Sequence, residues 1–263
     1  MSYSERIVCL TEEPTEVLYA LGEEDRIVGI SNFTVRPARA RKEKPRVSAF
    51  TSAHIDQIVD LDPDLVIGFS DIQADIARDL IKAGVEVWIS NHRTVDGILG
   101  YVRRLGAVVG AAGAADEYAA ELGDHVAKVR EAGDALPHRP RVYFEEWHDP
   151  LITGIAWVAE LIRIAGGDDV FPEMSSQSLA KDRIIADASE VASRSPEVIL
   201  ASWCGKKVQF GHLYEREGWE DIPAIQHRRV FEIDSSIILQ PGPAALTDGL
   251  DEIHRLLAES IDG

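Results

Sequence analysis

The side chains with most to offer chemically stand together in Phe144-Glu-Glu-Trp-His-Asp149, where carboxylates, an indole and an imidazole share one short run. Three readings suit that set: polar contacts to the amides or hydroxyls of a ligand, a metal site, or a solvated rim. In an extended segment side chains alternate, so Glu145 and Trp147 are expected on one face and Glu146 and His148 on the other. Glu146, His148 and Asp149 could furnish three donors, yet their spacing matches no tight zinc motif, and no metal is assigned to them. A second set, Ser202-Trp-Cys-Gly-Lys-Lys207, pairs an indole with a thiol, and Gly205 permits the tight turn that would present both. As a thiolate, Cys204 could ligate a metal centre; as a thiol it is a small, partly buried hydrophobe. A serine elbow, a phosphate loop, a paired CxxC and an HExxH are missing, so these residues speak for holding a ligand rather than transforming it, and no catalytic residue is assigned.

Such residues act only where a frame sets them side by side. Apolar, β-branched runs at 6–10, 27–30, 65–69 and 85–89 read as short buried strands, and the amphipathic stretches between them as crossover helices of a parallel sheet. From 114 to 132 the chain is rich in Ala, Glu, Asp and Lys, longer than a crossover needs, and predicts one long helix ending near Gly133 and Pro137. Beyond it, strands are expected at 142–144, 198–201 and 230–233, and helices at 157–165, 189–194 and 243–260. The fold class is therefore α/β, with an amino-terminal lobe at 1–112, a connecting helix at 113–136 and a carboxyl-terminal lobe at 137–263.

An internal repeat supports two lobes. Glu16-Val-Leu-Tyr-Ala-Leu-Gly22 before Glu24-Asp25 is echoed by Glu160-Leu-Ile-Arg-Ile-Ala-Gly166 before Asp168-Asp169, and the helix-to-strand turn at Pro63 by the one at Pro196. Two such lobes on one stiff helix imply a clamshell with the ligand in its cleft, lined by loops that leave the carboxyl ends of the strands. Of the five Trp, six Tyr and seven Phe, that rule selects Phe33, Phe50, Phe69, Trp147 and Trp203 as ligand contacts, with core packing as the competing use of each. Thr11, Glu12 and Glu13 leave the first strand ahead of a helix; Thr11 is expected to cap it and Glu12 to face the ligand. Gly106-Ala-Val-Val-Gly-Ala-Ala-Gly113 has the wrong spacing for a nucleotide fingerprint and reads as close helix packing and a helix end.

Composition removes whole classes of partner. The 263 residues carry 27 Lys plus Arg against 45 Asp plus Glu, a net charge of −18 that repels nucleic acid and anionic lipid. The one basic concentration, between Arg36 and Arg46, is broken by Pro37, Glu43 and Pro45 and reads as a solvated loop. No apolar run reaches the roughly 20 residues that cross a bilayer. The stretch from Met1 to Leu10 lacks a long apolar export segment, so the chain as written reads as unexported, and as extracytoplasmic only if a signal has been trimmed. Cys9 and Cys204 form no disulfide framework and leave the redox compartment open.

Leu10-Thr-Glu-Glu-Pro-Thr-Glu16 with Ala20-Leu-Gly22, then Val28-Gly-Ile-Ser31, Pro45-Arg-Val-Ser48 and Leu61-Asp-Pro-Asp-Leu-Val66, resembles the amino-terminal lobe of the periplasmic binding proteins for vitamin B12 and ferric siderophores. The resemblance continues through Ile152-Thr-Gly154, 161–167, Ser195-Pro-Glu-Val198 and Arg229-Val-Phe231, and points to the cobalamin-binding-like members. It implies a class III fold of two Rossmann-like lobes with small hinge motion, and a monomeric substrate-binding protein of an ABC importer. That protein would have no intrinsic cofactor, would take up cobalamin or another metal chelate, and would deliver it to a membrane permease without inserting in the membrane. Phe50 then corresponds to an aromatic ligand contact, Gln240 to a polar contact in a binding loop, and the aromatic set suits a flat macrocycle such as corrin or haem. Docking on the importer falls to one acidic residue per lobe, Asp75 in the first and Glu215 or Glu217 in the second. The alternative is a cytosolic metal- or corrinoid-handling carrier, sensor or enzyme on the same fold.

Overall fold

The strands are the short apolar runs that a parallel sheet, covered on both faces, requires. The computed structural model describes residues 3–262 and falls into two units, one of residues up to His92 with Asp96–Gly123, the other of Arg93–Val95 with Asp124 onward. In the first unit β1 (Ile7–Cys9), β2 (Ile27–Ser31), β3 (Arg46–Ser48), β4 (Leu65–Phe69) and β5 (Val87–Ser90) form one sheet in the order β3-β2-β1-β4-β5. Every neighbouring pair is parallel. Val8, Leu10, Val47 and Val66 of the sheet pack with Ile58, Ile76 and Leu80 of the covering helices into an apolar core. The edge strand β3 was not among the expected strands; at three residues, with Arg46 exposed, it is too short to show a period.

In the second unit β6 (Arg141–His148) is the central strand. On one side it pairs with β9 (Val198–Ala201), which pairs with β10 (Val230–Glu232); on the other it pairs with β8 (Asp168–Asp169) along its first residues and β7 (Leu151–Thr153) along its last. Only β7 runs antiparallel. Order β8-β6-β9-β10 thus repeats order β2-β1-β4-β5, and the backbone repeats with it. Gly22 and Gly166, which end matching helices, have φ of 74° and 104°, a region open to glycine at little steric cost. Asp62 and Ser195, each ahead of its proline, both adopt the left-handed conformation, at φ of 48° and 47°, although neither is glycine. Two side-chain-independent features recurring at aligned positions make chance similarity a poor account of the sequence repeat.

The long helix spans Ala112–Asp134, and the division between the units falls inside it, after Gly123. Its approach to the helix Val95–Val108 within the first unit depends on Gly106, where a Cβ would stand 2.1 Å from that of Ala115. The glycine-rich stretch is thus a packing device, as its spacing suggested. The terminal helix is interrupted: Ala245–Gly249 forms one wide π turn before Leu250–Asp262. Among the described residues, no helix is long and apolar enough to cross a membrane.

Candidate functional site

The cluster at the end of β6 is reorganised by one extra residue. Glu145 pairs with Thr153 but Trp147 already pairs with Ile152, so β6 bulges at Glu146 and the simple alternation is lost. Glu145 and His148, expected on opposite faces, both reach Trp203: its indole N–H donates to Glu145 Oε1 at 3.3 Å, and its ring lies 4.2 Å from the His148 ring. Glu145 is wholly buried and accepts from Arg216 (Nη1 to Oε2, 2.7 Å) and from the Tyr143 hydroxyl (3.4 Å). A buried carboxylate is tolerated only with such a set of donors. Arg216 in turn lies over the Trp219 ring, 4.2 Å from its centre.

Glu146 is turned to another task. Arg183, itself buried, holds both of its oxygens at 2.5 and 2.9 Å and also donates to the Thr153 carbonyl, so this carboxylate is engaged as a structural partner. His148 is half-buried and faces an open pocket of about 370 Å3 with Asp149, Gly211, His212, Glu215 and Arg216. Burial first, and the neighbouring His212 second, hold the His148 imidazole below its ordinary range, which leaves it neutral at pH 7. Trp147 is half-buried against the core, its N–H on the Asp149 carbonyl at 2.9 Å and the Lys206 ammonium 4.7 Å from its ring centre. Trp203 is 2% exposed, so it is a core side chain that backs the site through His148 rather than offering a face of its own. Cys204 is exposed beside it, and Gln240 is half-buried between the short helix Ser235–Ile238 and the terminal helix. Glu215 lines the same pocket as His148, whereas Glu217 is simply exposed.

At the strand ends of the first unit a residue the sequence reading passed over does the positioning. Gln73, fully buried, donates to the carbonyls of Phe50 at 3.0 Å and Leu10 at 3.4 Å and accepts from the Phe69 N–H at 3.0 Å, tying the ends of β1, β3 and β4 together. It leaves Phe50 half-buried, and Phe33 stands out at 40% exposure. Phe69 is buried edge-on to His92, with ring centres 5.4 Å apart, and so is core as placed. Glu12 is buried. Thr11 occupies the N-cap position of the helix Glu12–Ala20 without capping it: its hydroxyl donates to Glu13 Oε1 at 2.7 Å, because a buried carboxyl has the stronger need of a donor. Asp75 lies in the first turn of the helix Ala74–Lys82, exposed and 2.6 Å from Arg78. Cys9 is buried within β1, and burial pushes its thiol up to about 12, so it stays protonated.

His212, Arg216, Arg183 and Gln73 have no role in the sequence analysis, and Glu13 appears there without one. One signal was available: a glutamate inside an apolar strand demands a cation, and Arg216 follows in a stretch read only for its acidic residues. The arrangement can bind through indole and imidazole. Among the described residues, no three or more His, Cys, Asp or Glu are grouped to hold a metal ion.

Comparison with known proteins places the chain in a family and a fold. The model of the family described as "Periplasmic binding protein" matches residues 7–237. The chain is 25% identical to the vitamin B12-binding protein of Vibrio campbellii over 248 residues, 90% of this chain and 84% of that one. Its fold matches the periplasmic vitamin B12 binding protein BtuF of Vibrio cholerae with a TM-score of 0.79 at 21% identity, covering 100% of both chains. It also matches the periplasmic heme-binding protein RhuT of Roseiflexus sp. RS-1, in apo form, with a TM-score of 0.81 at 23% identity, covering 98% and 99%. The chain belongs to the periplasmic binding protein family, and its α/β architecture is the two-lobed one of that family.

Proposed function

We propose that this protein is the substrate-binding component of an ABC importer, working outside the cytoplasmic membrane, and that its ligand is cobalamin or a related metal tetrapyrrole. One observation carries the reading: at the end of β6, in a chain of a binding-protein family, Trp147 and the half-buried His148 stand side by side, ring centres 5.3 Å apart, with Trp203 behind. An indole and an imidazole so placed give a flat, apolar and polarisable surface, suited to a macrocycle edge or face and poorly suited to a sugar. The names of the relatives support the same ligand class. Phe50 and Phe33 in the first unit, Gln240 in the second, and Asp75 and Glu217 as importer contacts belong to this proposal, as does a monomeric state. The acidic surface agrees with a carrier that avoids nucleic acid and lipid.

A coloured tetrapyrrole quenches nearby tryptophan emission, so titration followed by fluorescence reads the site directly. Trp147→Ala is expected to weaken binding by about 1 to 3 kcal/mol through lost contact, with the melting temperature little changed. Undiminished affinity in both Trp147→Ala and Phe50→Ala would remove the aromatic surface from the ligand site.

A further inference from the structure

Glu13 has no part in the proposed site, yet it is only 1% exposed, in the first turn of the helix Glu12–Ala20 just beyond β1. The Thr11 hydroxyl donates to its Oε1 at 2.7 Å, and Oε2 is buried with no hydrogen-bond partner among the described residues. The titratable groups around it are Cys9 of β1, Tyr101 of the helix Val95–Val108 and, three residues on, Glu16. Cys9 and Tyr101 are fully buried, and His92 stacks on Tyr101 with ring centres 4.5 Å apart. The neighbouring cations act elsewhere, Lys44 on Cys9 and Arg104 on Tyr101. Burial therefore holds the Glu13 carboxyl up at about 7, against the Thr11 hydroxyl and the amide of its own turn, with repulsion from Glu16 in addition. A helix N-terminus favours an anion, but here by less than burial disfavours it.

An ionised Glu13 needs water, and the first turn is where the fold yields it most readily. Thr11 does not cap the helix, Pro14 has no N–H to lose, and the first four amides of any helix lack an intrahelical acceptor. Opening the turn 11–14 therefore releases only the few bonds that the amides of residues 15–18 make to its carbonyls. Leu10 leads into that turn, and its carbonyl accepts from Gln73 Nε2, which also donates to the Phe50 carbonyl. We propose that Glu13 is a proton switch at the strand ends of the first unit: its ionisation populates an open form of the turn 11–14 in which the carboxylate is hydrated and the Gln73 hold on Phe50 is loosened. Below pH 4.5 both forms keep the proton and the switch is silent. Between pH 4.5 and 7 only the open form releases it, so opening grows with pH and levels off above 7. Any consequence for a ligand at Phe50 rests on the proposed function; the opening itself does not.

The test is amide hydrogen exchange of the full chain without ligand, followed residue by residue at pH 5 and pH 8 and corrected for intrinsic rates. Opening at the amides of residues 15–18, and at the Phe69 N–H that donates to Gln73, should rise about 70-fold in the wild type between the two conditions. That ratio is set by carboxyl values of 4.5 in the open form and about 7 in the closed one. Local opening exposes little surface, so the rise should be the same in water and in low urea. Glu13→Gln, which keeps the Thr11 bond and never ionises, should show none of it. A rise of equal size in Glu13→Gln, or none in the wild type, overturns the switch. So does a rise that appears only as urea promotes unfolding of the whole unit, because Glu13 then titrates through global stability alone. A response at residues 15–18 without one at Phe69 refutes the coupling to Phe50. With no ligand present, none of these outcomes bears on the identity of the cargo.

Discussion

Arg216→Met lowers the stability of the folded protein by about 3 to 5 kcal/mol, the usual consequence of stripping one partner from a buried ion pair. Glu145 has no exposed surface, and Arg216 gives it two of its four hydrogen bonds, at 2.7 and 3.4 Å. Without the guanidinium, the carboxylate keeps only the weaker donations of Trp203 and Tyr143. It must then stay charged without compensation or take up a proton, and either costs free energy. The double variant Glu145→Gln/Arg216→Met, with no buried charge left, should recover most of the loss. Equilibrium urea unfolding of the single and double variants measures both. A single variant within about 1 kcal/mol of wild type would mean that the pair is solvated and does not organise the end of β6. The same pair has a functional consequence, since Glu145 holds the Trp203 indole against which His148 lies.

Glu13→Gln is expected to stabilise the protein by about 3 kcal/mol at pH 8 and to leave it unchanged near pH 4. Burial pushes the Glu13 carboxyl from 4.5 up to about 7, only partly opposed by the Thr11 hydroxyl, and its second oxygen, Oε2, is buried without a hydrogen-bond partner. The sign follows from which state keeps the proton. Below pH 4.5 the group is protonated in both states and has no influence on the balance. As pH rises from 4.5 to 7 the unfolded chain releases the proton while the folded one retains it, so stability falls; above 7 the fall is complete. Glutamine can still accept from Thr11 and never ionises, so its profile should be flat over that window. Unfolding free energies of wild type and variant at pH 4, 6 and 8 decide the matter. Parallel profiles would show that Glu13 ionises in the folded protein as freely as in the unfolded one.

Much of the frame was readable because parallel strands must be apolar on both faces. Ile7–Cys9, Leu65–Phe69 and Val198–Ala201 announce themselves by composition, and the long helix by a run of strong helix formers. The repeat around Pro63 and Pro196 is readable too, since each proline marks the same turn, and the structure adds the same unusual φ at the residue before each. What escaped were features set by contacts distant in sequence. The bulge at Glu146 exists because β7 turns back on β6, and no period within 144–149 could show it; yet it decides that Glu145 and His148 share Trp203. The pairing of Glu146 with Arg183 crosses 37 residues, and that of Glu145 with Arg216 crosses 71. Gln73 looks like an ordinary surface glutamine ahead of a helix, but the fold draws it inward because the carbonyls of Leu10 and Phe50 need a donor. Thr11 differs from its local expectation for a similar reason: the sequence marks a cap, while the buried Glu13 takes the hydroxyl.

The most direct test of the central claim is isothermal titration of the purified protein with cyanocobalamin, aquocobalamin, haem and a ferric hydroxamate chelate, the visible spectrum being followed in parallel. The account predicts binding of at least one tetrapyrrole at micromolar affinity or tighter, with a spectral change where the metal has an exchangeable position. Absence of heat and of spectral change with all four would contradict it, leaving a periplasmic binding protein fold whose cargo belongs to another chemical class.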